Sequence, residues 1–211
     1  MNLITIFTRK FEQAAVFSPI LRIFCKMYYN KAVQREIELA NITSDDRVLC
    51  IGGGPLPWTG IRIAQTTGAK VHVIDMDHRS VFYAKQAIEQ CNLSGQIEVS
   101  IGNGQQIDAS EYTVTHVALQ ARPHDKILQN ILKRAKSGNR VLMRFPHSRL
   151  NKFYEALPED CLCDICESTK QNHSTMSETL LFIKGVRGEK REEILAHAFG
   201  LDINRTATLV K

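Results

Sequence analysis

The stretch VLCIGGGPLP at 48–57 constrains this chain more than any other: a short apolar run enters three consecutive glycines and leaves through two prolines. Val48, Leu49, Cys50 and Ile51 suit a buried strand, and residues 59–66 carry the apolar spacing of a helix. A strand that turns through glycine into a helix needs glycine for two reasons. The backbone reverses with φ above zero, and a ligand approaching the turn would meet any Cβ. The amino end of the helix beyond offers N–H groups and partial positive charge to an anion. Gly52, Gly53, Gly54 and Pro55 are therefore candidate ligand-binding residues.

The pattern around this turn alternates between strand and helix periods. Strands are expected at 70–74, 96–101, 116–119 and 140–145, and helices at 79–90 and 126–135. That alternation gives an α/β fold, a doubly wound, mostly parallel, Rossmann-like sheet covered on both faces. Two further strands, 161–168 and 179–184, have no helical pattern between them and should pair antiparallel at the sheet edge. Residues 1–44 read as an N-terminal helical lid, with Ser18-Pro19 breaking it, a second segment around Ile20 to Phe24, and a third helix at 31–39. The binding domain then covers 45–184, and 185–211 holds a charged helix and a tail.

Three strand ends in this arrangement carry binding chemistry. The glycine turn lacks the third glycine of a dinucleotide fingerprint, since Pro57 stands there, and it lacks the Lys-Ser/Thr of a phosphate loop. A carboxylate, such as that of the methionine moiety of S-adenosylmethionine, is the anion that remains. The second strand ends in Asp75, about 20 residues after the turn, where a carboxylate can accept from both ribose hydroxyls. Asp75 could instead cap the next helix. Met76 follows and could lie on an adenine face, and Asn103 at the end of the third strand could meet the adenine edge through its amide.

The segment IGGGPLP at 51–57 resembles the nucleotide-binding turn of the nicotianamine synthase-like family of metallophore synthases. The likeness runs on through 71–75, 101–103, the loop at 118–123 and the strand at 141–144. The resemblance implies a class I methyltransferase fold, S-adenosylmethionine as cofactor, and Gly52, Gly54, Asp75 and Asn103 in its site. It also implies a catalytic tyrosine and glutamate from the N-terminal side, for which Tyr28, Tyr29 and Glu36 are the candidates. Trp58 departs from the family's smaller apolar residue, and Asn103 from its usual acid.

Remaining polar residues near the strand ends supply the other candidates. Gln120 could orient a substrate amine, and His124 could act as a base or merely cap its helix. Arg144 could hold a substrate carboxylate by a two-pronged contact, or pair with a neighbouring helix. The leading reading is a small-molecule methyltransferase, because methyl transfer needs only the core and a covering lid. The alternative, favoured by the Gly-Pro-Leu-Pro likeness, is aminocarboxypropyl (aminobutanoyl) transfer, with methylthioadenosine as leaving group. Its intramolecular form would give a cyclic amino acid. A third reading is an S-adenosylmethionine-binding protein without turnover.

Composition narrows the partners. The 211 residues hold 27 Lys and Arg against 22 Asp and Glu, and the bases are scattered, so a nucleic-acid partner is not expected. A small-molecule substrate, an amino acid or other carboxylate, fits better. Apolar faces around Phe7, Phe11, Phe17 and Phe24 suggest a lid, a homodimer contact or peripheral membrane docking, with Arg9, Lys10, Arg22 and Lys26 toward the lipid. No signal-peptide order is present and the six cysteines form no disulfide pattern, so a cytoplasmic enzyme is expected. Cys161, Cys163 and Cys166 cluster, but strand alternation splits them between two faces, so no metal is expected.

Overall fold

A computed structural model of the chain describes residues 18–146, 165–171 and 176–184, without the side chains of 19–28, 146, 165 and 166. Seven strands form one sheet: β1 (Arg47–Ile51), β2 (Lys70–Asp75), β3 (Ile97–Ile101), β4 (Val114–Val117), β5 (Arg140–Pro146), β6 (Ile165–Lys170) and β7 (Met176–Ile183). Their order is β3-β2-β1-β4-β5-β7-β6. The first five run parallel. β7 pairs antiparallel with both β5 and β6, the edge arrangement expected when no crossover helix separates two strands.

Four helices are described: α1 (Pro19–Leu39), α2 (Trp58–Thr67), α3 (His78–Gln90) and α4 (His124–Arg134). The second and third N-terminal segments expected from sequence are one continuous helix. Pro19 stands at its first position, where a missing N–H costs nothing, and no glycine or proline interrupts the chain before Leu39. Within α1, Ala32, Val33, Glu36 and Ile37 form the buried stripe, so a glutamate lies on the apolar face. α1, α2 and α3 pack one face of the sheet through Val33, Ile37, Ile61, Ala64, Ala84 and Ile88. α4 packs the other through Ile127, Leu128 and Ile131.

β4 lies two residues earlier than expected, because Val114 pairs with Val48 and Val117 with Ile51. Residues 1–17 and 185–211, with Phe7, Phe11, Phe17, Arg9, Lys10 and the C-terminal helix expected from sequence, lie outside the described residues. So do Cys161 and Cys163 and the side chains of Phe24, Arg22, Lys26 and Cys166. No described helix is long and apolar enough to cross a membrane.

Candidate cofactor site

The chain order reverses between β1 and β4, and a cavity of about 220 Å³ opens at the carboxyl ends of these strands. The glycine turn after β1 forms its floor. Gly52 and Gly54 have φ of 80° and 65°, which only glycine adopts freely. Gly53 is required by a different contact: a Cβ there would lie 2.2 Å from Val73 Cγ1. Pressure on that glycine therefore comes from β2 beneath it rather than from a ligand above, which corrects the sequence argument.

Asp75 ties the turn to the end of β2. Its Oδ2 accepts from the Gly54 N–H at 2.9 Å, and its Oδ1 accepts from the Asp77 N–H at 2.9 Å. The helix-capping role falls to Asp77, whose Oδ1 accepts from the Arg79 N–H. Asp75 is thus not the cap of α3, and each of its oxygens keeps a second lone-pair site for a ligand hydroxyl. Met76 lies beside it, 61% exposed on the cavity rim. Asn103 also lines the cavity, but its Oδ1 already accepts from the Gln105 N–H at 2.9 Å. What Asn103 can offer a ligand is therefore its amide donor.

At the other end of the cavity stand Tyr29, Cys50, His116 and Arg144, with Pro55, Gln120 and Ala121 along the wall. Arg144 is buried and forked. Its Nε donates to Glu36 Oε1 at 2.8 Å and its Nη2 to Glu36 Oε2 at 2.7 Å. Thr179, directly opposite Arg144 across β5 and β7, donates from Oγ1 to Glu36 Oε1 at 2.8 Å. Gln171 Nε2 donates in turn to Thr179 Oγ1 at 3.0 Å. His116 Nε2 sits 3.3 Å from Glu36 Oε2, an ion-pair separation rather than a well-formed hydrogen bond. The Tyr29 ring lies 5.7 Å from the guanidinium carbon.

Electrostatics follow from this burial. Burial alone would raise the Glu36 carboxyl, but Arg144 and then His116 outweigh it and hold it well below the usual carboxylate range. Burial, together with the Arg144 charge, pushes the His116 imidazole down despite the opposing pull of Glu36. The Cys50 thiol is pushed up to about 12, mainly by burial. Glu36 is thus a fixed anion bound to Arg144, a poor general base.

Ten sequence candidates line the cavity together: Tyr29, Gly52, Gly53, Gly54, Pro55, Asp75, Met76, Asn103, Gln120 and Arg144. Glu36 does not line it but lies behind Arg144. His124 is also away from the wall. It opens α4, three and four residues before Ile127 and Leu128, so it shares their buried face. Tyr28 is in α1, its side chain outside the described residues. His116 and Thr179 were not anticipated. The signal for His116 was a polar ring in a short buried strand bounded by valines, whereas β7 also carries Ser177 and Glu178, so Thr179 had no such signal.

The strand order, the glycine turn after β1 and the acid closing β2 define a class I methyltransferase fold. No protein-family profile matches the chain. An L-histidine 2-aminobutanoyltransferase of Yersinia pestis is 26% identical over 119 residues, which is 56% of this chain and 44% of the relative. The chain thus spans less than half the length of the curated relatives it matches. A point mutant of the nicotianamine synthase MtNAS superimposes with a TM-score of 0.74 at 23% identity, over 84% of this chain and 71% of that one. An RNA methyltransferase from Salinibacter ruber, in complex with S-adenosyl-L-homocysteine, gives 0.57 at 19% identity, over 74% and 93%. Within the class I fold, then, this chain resembles nicotianamine synthase and its aminobutanoyl-transferring relatives.

Proposed function

We propose that this chain binds S-adenosylmethionine and transfers its aminobutanoyl group to the amine of a small amino-acid acceptor, releasing methylthioadenosine. The observation that carries the reading is the two-ended cavity. Asp75, Met76 and Asn103 suit a nucleoside at one end, and at the other Tyr29 of α1 and Arg144 of β5 line the wall, with Glu36 of α1 held behind Arg144. The residues fit the cofactor. Asp75 is a buried acceptor with lone pairs to spare, and the turn below it runs through the positive φ of Gly52 and Gly54. S-adenosylmethionine supplies a sulfonium that activates each attached carbon. The protein's task is to aim one carbon at the acceptor and exclude water.

Methyl transfer was the leading expectation from sequence, on the argument that the chain carries little beyond the core. The comparisons favour the alternative: the curated relatives are named as aminobutanoyltransferases, and MtNAS gives the higher structural similarity of the two structures compared. The test is incubation with S-adenosylmethionine and L-histidine or another amino acid, followed by chromatography of the nucleoside. Enzyme-dependent methylthioadenosine together with an aminobutanoylated acceptor supports the proposal. S-adenosylhomocysteine as the product overturns it.

A further inference from the structure

We propose that the outer edge of Arg144 is an amino-acid carboxylate subsite, and that Glu36, Thr179 and His116 are the residues that position it. The proposal rests on the functional reading above and names the group that the closed end of the cavity recognises.

The group at the centre of this subsite is a guanidinium. It carries five N–H groups, and these form edges that each match a carboxylate. Glu36 occupies the Nε and Nη2 edge. The two hydrogens on Nη1 and the second on Nη2 remain, and Arg144 bonds no other acceptor among the described residues. These donors belong to a residue only 4% exposed that nevertheless lines the cavity. Tyr29 covers the guanidinium, so the remaining Nη edge is the part left for a ligand. A buried fork with donors in hand calls for a planar acceptor, and a carboxylate satisfies both nitrogens at once.

The positioning shell explains why the fork is rigid. Thr179 holds Glu36 Oε1 in place, Gln171 holds Thr179, and Glu36 holds Arg144. The paired cluster has no net charge of its own, so a bound carboxylate would make it negative. His116, 3.3 Å from Glu36, stands where a proton could compensate. The other groups facing the cluster are Tyr29 from α1 and Cys50 from β1, and the Cys50 thiol stays protonated with a pKa pushed up to about 12.

Two carboxylates could fill the subsite: that of the methionine moiety, or that of the acceptor amino acid. Calorimetry with S-adenosylmethionine and decarboxylated S-adenosylmethionine reads the first. Steady-state KM for L-histidine and histamine reads the second. In wild type, loss of the carboxylate from the ligand that uses Arg144 should weaken it about tenfold or more. In Arg144→Lys that penalty should largely vanish, in the calorimetric arm for the cofactor or in the KM arm for the acceptor. Thr179→Val, which keeps shape and removes the hydroxyl, should reduce the same penalty through Kd or KM more than through kcat, and Thr179→Ser should restore it. This second series remains informative if Arg144→Lys fails to fold. An undiminished penalty in both arms for either variant overturns the subsite while leaving the functional reading intact. Wild type that binds neither nucleoside overturns both.

Discussion

At the scale of single residues, Asp75 and Gly53 illustrate two different demands on one turn. Asp75 ties the turn while lining the cavity, since its oxygens accept from the Gly54 and Asp77 N–H groups there. Hydrogen bonds to a charged acceptor contribute about 1.5–3 kcal/mol each. Asp75→Ala should therefore weaken S-adenosylmethionine by at least about tenfold in calorimetry. An unchanged affinity would remove Asp75 from the site. Gly53 serves packing alone. Its substitution by alanine forces a methyl to within 2.2 Å of Val73 Cγ1, and overpacking of this kind costs about 1–3 kcal/mol. Urea unfolding should show that loss for Gly53→Ala, and a Val73→Ala partner change should recover part of it. A double variant no more stable than the single would locate the strain elsewhere.

At the scale of elements, α1 is a fixed wall of the site. It is tied by the Arg144 and Thr179 bonds to Glu36, by Trp58 Nε1 donating to Asn30 Oδ1 at 3.3 Å, and by Arg35 Nη1 donating to the Lys170 carbonyl at 3.0 Å. Trp58, unusual for the resembling turn, thus joins α2 to α1. Removing one partner of a buried ion pair costs about 3–5 kcal/mol, because the other charge stays buried. Glu36→Gln should lower stability by that order in urea unfolding, more than any surface change on α1, and an unaltered midpoint would disprove the anchoring role. How much of this was legible differs by element. The parallel strands and their helices were readable because period 2 and period 3.6 are local signals, and the antiparallel edge because no helical pattern separates its strands. That the glycine turn and Asp75 line one cavity was readable, because the two lie close in sequence at the ends of adjacent strands. The Arg144 end was only half readable. Glu36 and Thr179 lie 143 residues apart yet hydrogen-bond, and no local pattern reports such a pairing. What sequence does report is a polar residue in an apolar stripe, as with Glu36 between Val33 and Ile37, or His116 within β4.

At the scale of the whole molecule, the buried polar cluster makes stability depend on pH in a direction that can be worked out. His116 is buried beside Glu36, and His72 is held between Tyr112 at 2.6 Å and Ser100 at 2.7 Å. Burial lowers both imidazoles from the ordinary value of 6.5. The unfolded chain therefore binds protons at a pH where the folded one still refuses them. The histidine contribution is complete above the unfolded value of 6.5 and is lost as pH falls from there through the folded values. Glu36 is lowered from 4.5, so its contribution is complete above 4.5 and declines below it. Two successive losses are expected on acidification, the first from histidine and the second from the carboxylate. Urea midpoints should hold steady from about pH 8 to 7, then fall toward about pH 5.5. His116→Asn should flatten part of that first fall while leaving the second in place. Midpoints that stay level through the histidine range, or fall equally in His116→Asn and wild type, would show that His116 titrates alike in both states. His116 would then no longer be a source of the first loss.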